Sequence, residues 1–391
     1  MFYVGIDVAK HKHEAVVTDD SGSVIIKSFH FANSFTGYRV LIDKLKKIAI
    51  IKSQFVFGME STGHYWLALF TRLKKDGYNV QVFNPIQSDA IRGLYIRQNK
   101  CDSRDAFIIA EILRFGKYSA TVVPQDKLMA LRELCRNRSF LVDEQSDLKR
   151  KADALLDQVF PEYEKLFSNN FVHASTELLM KYPTPEKISK ASVKTISNII
   201  SKASNGYYGL AKAQQIKIAA KDTFGITDTC GAYSSLIALY IHQIKTIDEQ
   251  IDELNKKIEE IFNGLDSKIT TISGIGTTLG ATIISEIGDI HRFTSADKLA
   301  AYAGIDPTVK QSGNFAATRN HMSKRGSPYL RRAIWHACVV AVQFDPMFKA
   351  YYEKKAAEGK RYMVIIGHCT KKMMSVIYAV LRDNKEYNPC M

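Results

Sequence analysis

Asp102 and Asp105 stand three residues apart in Cys101-Asp102-Ser103-Arg104-Asp105-Ala106-Phe107-Ile108-Ile109-Ala110-Glu111-Ile112-Leu113. The stretch has no Gly or Pro, and Ala106, Ile109, Ala110 and Leu113 recur at helical spacing, so it reads as a helix with both acids on one face. Carboxylates that close repel one another, and water, a basic neighbour or a divalent cation must keep them ionised together. Arg104 lies between them in sequence but points to another face. An acidic first helical turn, favoured by the macrodipole, is the plain alternative. Two further acids, Asp7 and Glu60, each end an apolar strand, Tyr3-Val4-Gly5-Ile6-Asp7 and Gln54-Phe55-Val56-Phe57-Gly58-Met59-Glu60. Alone, Asp7 reads as a turn cap and Glu60 as a solvated acid before Ser61-Thr62-Gly63. If the two strands are neighbours and the Asp102 helix packs across their ends, four carboxylates converge and need cations. Oxygen-only ligands select Mg²⁺ or Mn²⁺, and two such ions about 3.5–4 Å apart can clamp both oxygens of a phosphoryl displacement.

A second kind of chemistry lies near the other end. From Thr308 to Phe344 there is no acidic residue, while Lys310, Arg319, Lys324, Arg325, Arg331 and Arg332 fall there with His321 and His336. A solvated surface mixes signs, so this stretch reads as a phosphate-backbone contact. Within it, Ser312 of Gln311-Ser312-Gly313 is a loop hydroxyl flanked by cations that lower its pKa and neutralise developing charge, as attack on a phosphodiester requires. An ordinary turn serine is the alternative, and Ser323 and Ser327 beside Lys324-Arg325-Gly326 compete for the role. Upstream, Ser273-Gly274-Ile275-Gly276 between two helical stretches has the pattern of a helix-hairpin-helix, whose glycines let backbone N–H groups approach a phosphate.

The elements that must position these groups fall into three parts. Over residues 1–125, strands at 3–8, 14–18, 23–31, 54–60 and 79–83 alternate with helices at 36–50 and 63–75 before the Asp102 helix. Three antiparallel strands followed by helix-strand-helix-strand-helix is the order of a ribonuclease-H-like α/β fold. Ligands of such sheets bind at the carboxyl ends of strands, where Asp7 and Glu60 stand. The same fold serves sugar kinases, but Val8-Ala9-Lys10 after Asp7 makes no phosphate loop. Residues 126–265 are all-α. Leu128–Val159 is one long helix, and Ile244, Ile247, Ile251, Leu254, Ile258 and Ile261 keep the 3,4 rhythm of a coiled-coil seam. That seam pairs with the first long helix or with a second chain, and the sequence leaves both open. Residues 266–391 form a basic helical domain, with apolar helices at 329–344 and 361–382 for its core.

Composition narrows the setting. The chain of 391 residues carries a formal net charge of +14, which points to nucleic acid as the polyanionic partner. No apolar run reaches about 18 residues, and the N-terminus lacks a basic region before its apolar residues, so neither a membrane span nor a signal peptide is expected. Six scattered cysteines with no C-x-x-C pair point to reduced thiols in a cytoplasm.

Taken in order, Gly5-Ile6-Asp7-Val8-Ala9-Lys10, Glu60-Ser61-Thr62-Gly63, Asn84-Pro85, Asp102-Ser103-Arg104-Asp105-Ala106, Ile272-Ser273-Gly274-Ile275-Gly276, Ala301-Tyr302-Ala303-Gly304-Ile305-Asp306-Pro307, Gln311-Ser312-Gly313 and Ser323-Lys324-Arg325-Gly326 resemble the transposases of the insertion-sequence 110 family, the DEDD recombinases. The resemblance covers nearly the whole chain. It implies a RuvC-like domain joined by a coiled coil to a C-terminal transposase domain. By the same resemblance, Asp7, Glu60, Asp102 and Asp105 look like the DEDD metal ligands for Mg²⁺ or Mn²⁺. Ser312 looks like the nucleophile that becomes covalently joined to a DNA phosphate. The family also implies a bridge RNA that pairs with target and donor DNA, and a homodimer or tetramer in which one chain's serine completes another chain's acidic site. Two other readings stand beside it: a RuvC-like junction nuclease that uses metal-activated water, and a non-enzymatic nucleic-acid scaffold.

Overall fold

The computed structural model describes residues 1–85, 88, 102–116, 118, 126–228, 231–307, 311–312, 315–316 and 321–389. The chain forms two compact units, Met1–Val123 and Pro124–Met391.

The first unit is built on five strands: β1 (Phe2–Asp7), β2 (Lys12–Thr18), β3 (Val24–Ala32), β4 (Phe55–Glu60) and β5 (Asn79–Phe83). Their order across the sheet is β3-β2-β1-β4-β5. The three N-terminal strands pair antiparallel, and β4 and β5 add in parallel. This is the strand order of a RuvC-like ribonuclease-H sheet. Strand alternation sends Val4, Ile6, Phe57 and Met59 to one face, where they form a core with α1 (Phe35–Lys46) and α2 (Trp66–Lys75). The opposite face receives α3 (Asp102–Phe115), whose Ile108, Ile109, Ile112 and Leu113 pack with Tyr3, Val56 and Phe83. The helix expected from residue 63 begins at Trp66, because Gly63 takes a left-handed φ of +58° and residues 63–65 form a turn.

The second unit is helical. Its axis is a hairpin of α4 (Asp126–Val159) and α9 (Ala232–Asn263). Leu131 and Cys135 share a core with Ile258 and Phe262, while Ala152 and Leu156 share another with Ile237, Ile241 and Ile244, so the two helices run antiparallel. Arg138 Nε donates to Asn255 Oδ1 at 2.6 Å, and Gln145 bonds Asp248, across the same seam. The isoleucine rhythm is therefore spent within the chain. Between the long helices, α5 (His173–Lys181), α6 (Pro185–Lys190), α7 (Val193–Ala203) and α8 (Leu210–Lys221) close the far core. Beyond α9 come α10 (Thr277–Ile287), α11 (Ala296–Ala303), the short strands β6 (Gln311–Ser312) and β7 (Phe315–Ala316), α12 (Pro328–Phe344), α13 (Pro346–Ala357) and α14 (Tyr362–Asp383).

The first helix of the expected helix-hairpin-helix is a single 3₁₀ turn, Ile269–Thr271. Helix α14 is long and apolar enough to cross a bilayer by length and composition, although no uninterrupted apolar run marks it. Its Ile365, Ile366, Cys369, Met373 and Ile377 are buried in one core with α12, so it serves as the central helix of this part.

Candidate active site

The acidic site is set by register. In the parallel pair β1 and β4, Gly5 lies beside Gly58 and Ile6 beside Met59. One further step places the backbone of Asp7 beside that of Glu60. Alternation puts both acids on the side of Gly5 and Gly58, the side covered by α3. The helix approaches closely because those positions are glycines. A Cβ at Gly5 would lie 2.0 Å from the Ala106 carbonyl oxygen, and one at Gly58 would lie 2.8 Å from Leu113 Cδ1. At the other end of α3, Arg114 reaches the Gly22 turn between β2 and β3, so α3 runs antiparallel to β1. Its first turn therefore stands at the strand ends that carry Asp7 and Glu60. In that turn Asp105 is buried and Asp102 is exposed. Glu60 Oε2 accepts a hydrogen bond from Thr62 Oγ1 at 3.3 Å.

Among the described residues, no group of three or more His, Cys, Asp or Glu side chains is gathered as a metal cluster. The backbone places Asp7, Glu60 and the first turn of α3 at one end of the sheet, and carboxylates are the donors that a hard divalent cation takes. The sequence reading missed one neighbour. Glu14 on β2 is the register partner of Asp7, and it is buried, with Ser28 and His30 on its two carboxylate oxygens. An acid on a mid-sheet strand, directly across from a site acid, was the available signal.

In the second unit, Ser312 pairs with Phe315 in the β6–β7 hairpin. The base of the hairpin is clamped. Pro307 bridges Met322, Ser323 N donates to the Asp306 carbonyl at 2.8 Å, and Ser323 Oγ meets Asp306 Oδ1 at 2.5 Å. Lys324 then takes a left-handed φ of +55°, held by its N–H on the Gly304 carbonyl at 3.0 Å. The competing serines have structural employment. Ser323 ties the clamp, and Ser327 caps α12 through Leu330 N while donating to Glu286 Oε2 at 2.8 Å. Burial pushes the thiols of Cys135, Cys338 and Cys369 up, so none of them is a ready nucleophile.

The cationic stretch divides by partner. Lys324 and Arg325 are exposed. Arg331 Nη1 donates to the Ala303 carbonyl at 2.9 Å, and Arg332 pairs with Asp143 at 2.8 Å, so both arginines also hold helices together. Lys310 and Arg319 lie outside the described residues. Gly274 has a packing role in its turn. It takes φ +87°, and a Cβ there would lie 2.4 Å from the Ala337 carbonyl, so it serves the packing of its turn on α12. Gly276 is the open position, an exposed N-cap of α10 with no side chain capping the helix.

Comparison with known proteins gives the family. Residues 4–161 match a family model described as "Transposase", the DEDD domain of IS110 elements, and residues 266–353 match "Transposase IS116/IS110/IS902 family". The chain belongs to the IS110 family of transposases. Relatives of this IS110 transposase span its length. The 44.8 kDa protein of insertion element IS116 from Streptomyces clavuligerus is 24% identical over 99% of this chain and 96% of its own. The "Pilin gene-inverting protein" of Moraxella bovis is 25% identical over 99% and 97%. The 42 kDa protein of IS900 from Mycobacterium paratuberculosis is 28% identical over 76% and 75%. The IS110 transposase is thus a recombinase of insertion sequences, an enzyme that cleaves and rejoins DNA, and its DEDD domain is of a kind that generally depends on divalent metal.

A buried node in the second unit ties three helices together. Glu286 of α10, 1% exposed, receives Arg136 of α4 through both oxygens at 2.6 and 3.0 Å. Its carbonyl accepts from Tyr302 OH at 3.1 Å. With Ser327 on the same carboxylate, one acid joins the coiled-coil helix, α11 and the start of α12. Sequence spacing carries no signal for this node, because its members lie up to 191 positions apart.

Proposed function

We propose that this IS110 transposase moves its element by serine-mediated strand exchange on DNA, guided by a bridge RNA. Asp7, Glu60, Asp102 and Asp105 would hold Mg²⁺ or Mn²⁺. Bound there, the ions supply Lewis-acid polarisation and charge neutralisation at the scissile phosphate. The Ser312 hydroxyl attacks the phosphorus, a serine–phosphate bond forms, and the DNA oxygen leaves as a free hydroxyl end. After strand exchange, that type of hydroxyl attacks the phosphoserine and restores the serine, so phosphodiester energy is conserved and no ATP is consumed. Lys324, Arg325, Arg331 and Arg332, with the open Gly276 turn, serve as backbone contacts, as Lys310 and Arg319 do by their place in the acid-free stretch. Target and donor DNA are selected by pairing with RNA, while the protein reads duplex shape and phosphates. The chain works as a dimer or tetramer in a bacterial or archaeal cytoplasm, with three functional parts at 1–125, 126–265 and 266–391.

The observation that supports this reading most is the Asp7–Glu60 register under the first turn of α3. The deciding experiment concerns Ser312. The Ser312→Ala protein should bind DNA as the parent does and form no covalent protein–DNA adduct on denaturing gels. An adduct that survives the change removes Ser312 from this role and assigns the attack to another side chain, whereas cleavage by the parent with no adduct at all returns the chemistry to a metal-activated water.

A further inference from the structure

We propose that the cleft at the foot of the Ser312 hairpin is a pocket for one unpaired nucleotide, with the base laid on Trp335 and the phosphates on the cations at its rim. The inference rests on the recombinase reading above and adds what part of the substrate this surface takes. The cleft has a volume of about 810 Å³, within the range of small-molecule sites. Pro328, Arg331, Arg332 and Trp335 line it. They fall at i, i+3, i+4 and i+7 of α12, a single helix face. Met363, 64% exposed at the start of α14, supplies an apolar wall. Lys324 stands at the rim on the strained left-handed residue of the clamp. A lysine kept at that φ costs folding energy, and such strain gathers where a side chain must be aimed.

Two features of the cleft select its occupant. Among the described residues no acid lines it, and Lys324, Arg331 and Arg332 do, with Arg332 also paired to Asp143 behind it, so the ligand is anionic. Yet a surface made only for a duplex backbone has no use for an indole and a methionine between its cations. A duplex shows phosphates outward and keeps its base faces stacked. An unpaired nucleotide offers both a π face and a phosphate, the combination that aromatic platforms within cationic grooves recognise. Among the described residues, no aromatic ring or cation lies on the Trp335 indole, and nothing accepts from its Nε1. The pocket adjoins Met322, whose bridge to Pro307 closes the base of the serine hairpin. A base drawn out of the stack there would sit beside the strand to be cut.

Intrinsic fluorescence tests this directly, because the chain has two tryptophans and Trp66 is buried in the first unit. In a Trp66→Phe protein, Trp335 is the reporter. A short oligothymidylate and a short oligouridylate should quench its emission saturably, and a blunt duplex of equal length should not. The two single strands together show whether DNA, RNA or either fills the pocket. Trp335→Ala should lower affinity for single strands roughly 5- to 150-fold. Trp335→Phe should restore most of it, with duplex binding unchanged in both. Should Trp335→Ala fail to fold, quenching in the parent and the loss of it in Lys324→Ala decide alone. Quenching by duplex equal to that by single strands, or single-strand affinity unchanged in Trp335→Ala, overturns the pocket. A protein that binds no nucleic acid of any kind overturns the recombinase reading beneath it, and a Ser312-dependent adduct formed without Trp335 quenching overturns the pocket alone.

Discussion

His13 shows how one buried side chain guards the ground beside the acids. It is fully buried, and its Nδ1 accepts from Ala9 N at 3.2 Å, two residues after Asp7. An accepting Nδ1 must be unprotonated, and burial lowers the ring's pKa from the ordinary 6.5. A group whose folded pKa is depressed stabilises the fold above its unfolded pKa and loses that contribution as pH falls through the folded value. The first unit should therefore lose stability below about pH 6.5, the unfolded reference. Thermal melts between pH 8 and pH 5 check this, and His13→Gln should flatten the dependence. Glu286 makes the same argument with a charge pair. Arg136→Ala strands a carboxylate that is 1% exposed, with Ser327 as its remaining side-chain donor. Removing one partner of a fully buried pair costs about 3–5 kcal/mol, and because Arg136 is itself 37% exposed the loss here should fall below that range. The urea midpoint of the second unit should fall accordingly, and an unchanged midpoint would show that the Arg136–Glu286 pair does not hold these helices together.

Helix α3 illustrates how an element's position depends on what its neighbour lacks. Its apolar stripe is plain in the sequence, but the stripe says only that one face is buried. The two glycines of β1 and β4 decide where it lies, because a backbone can rest on a strand only where no Cβ intervenes. Gly5→Ala places a methyl 2.0 Å from the Ala106 oxygen, which no rotamer can relieve. The helix must lift, and the first turn carrying Asp102 and Asp105 lifts with it. The expected outcome is a loss of more than about 2 kcal/mol in stability together with loss of recombination. A fully active, equally stable Gly5→Ala protein would show that α3 does not set the acidic turn. The long helices carry the complementary lesson. A 3,4 rhythm specifies a seam and not a partner. The connection through α5–α8 lets α9 turn back along α4, and the isoleucines are then buried in the same chain.

For the chain as a whole, the net charge of +14 exceeds what solubility needs and is carried where acids are scarce. If its cations meet DNA phosphates, affinity must fall steeply with salt, since each neutralised phosphate releases counterions. Filter binding between 50 and 200 mM salt should show a loss of roughly a thousandfold or more. A shallow dependence would mean that binding is carried by base contacts or by RNA and not by this charge. The second unit has two separate cores, one around α5–α8 and one around α10–α14.

Much of this protein is local, and the local part was legible in residue order. Strand alternation, the Asp102–Asp105 spacing, the isoleucine rhythm and the acid-free basic stretch are short-range patterns, since a side chain's direction follows from its own backbone. What residue order left open is what depends on distant atoms. Which chain fills the α9 seam, that Gly274 packs on α12, that Glu286 gathers Arg136 and Ser327, and that Trp335, Met363 and Lys324 line one cleft all follow from contacts between separate elements. Packing selects such pairs from many that the pattern permits, and only the folded chain reveals which pair was chosen.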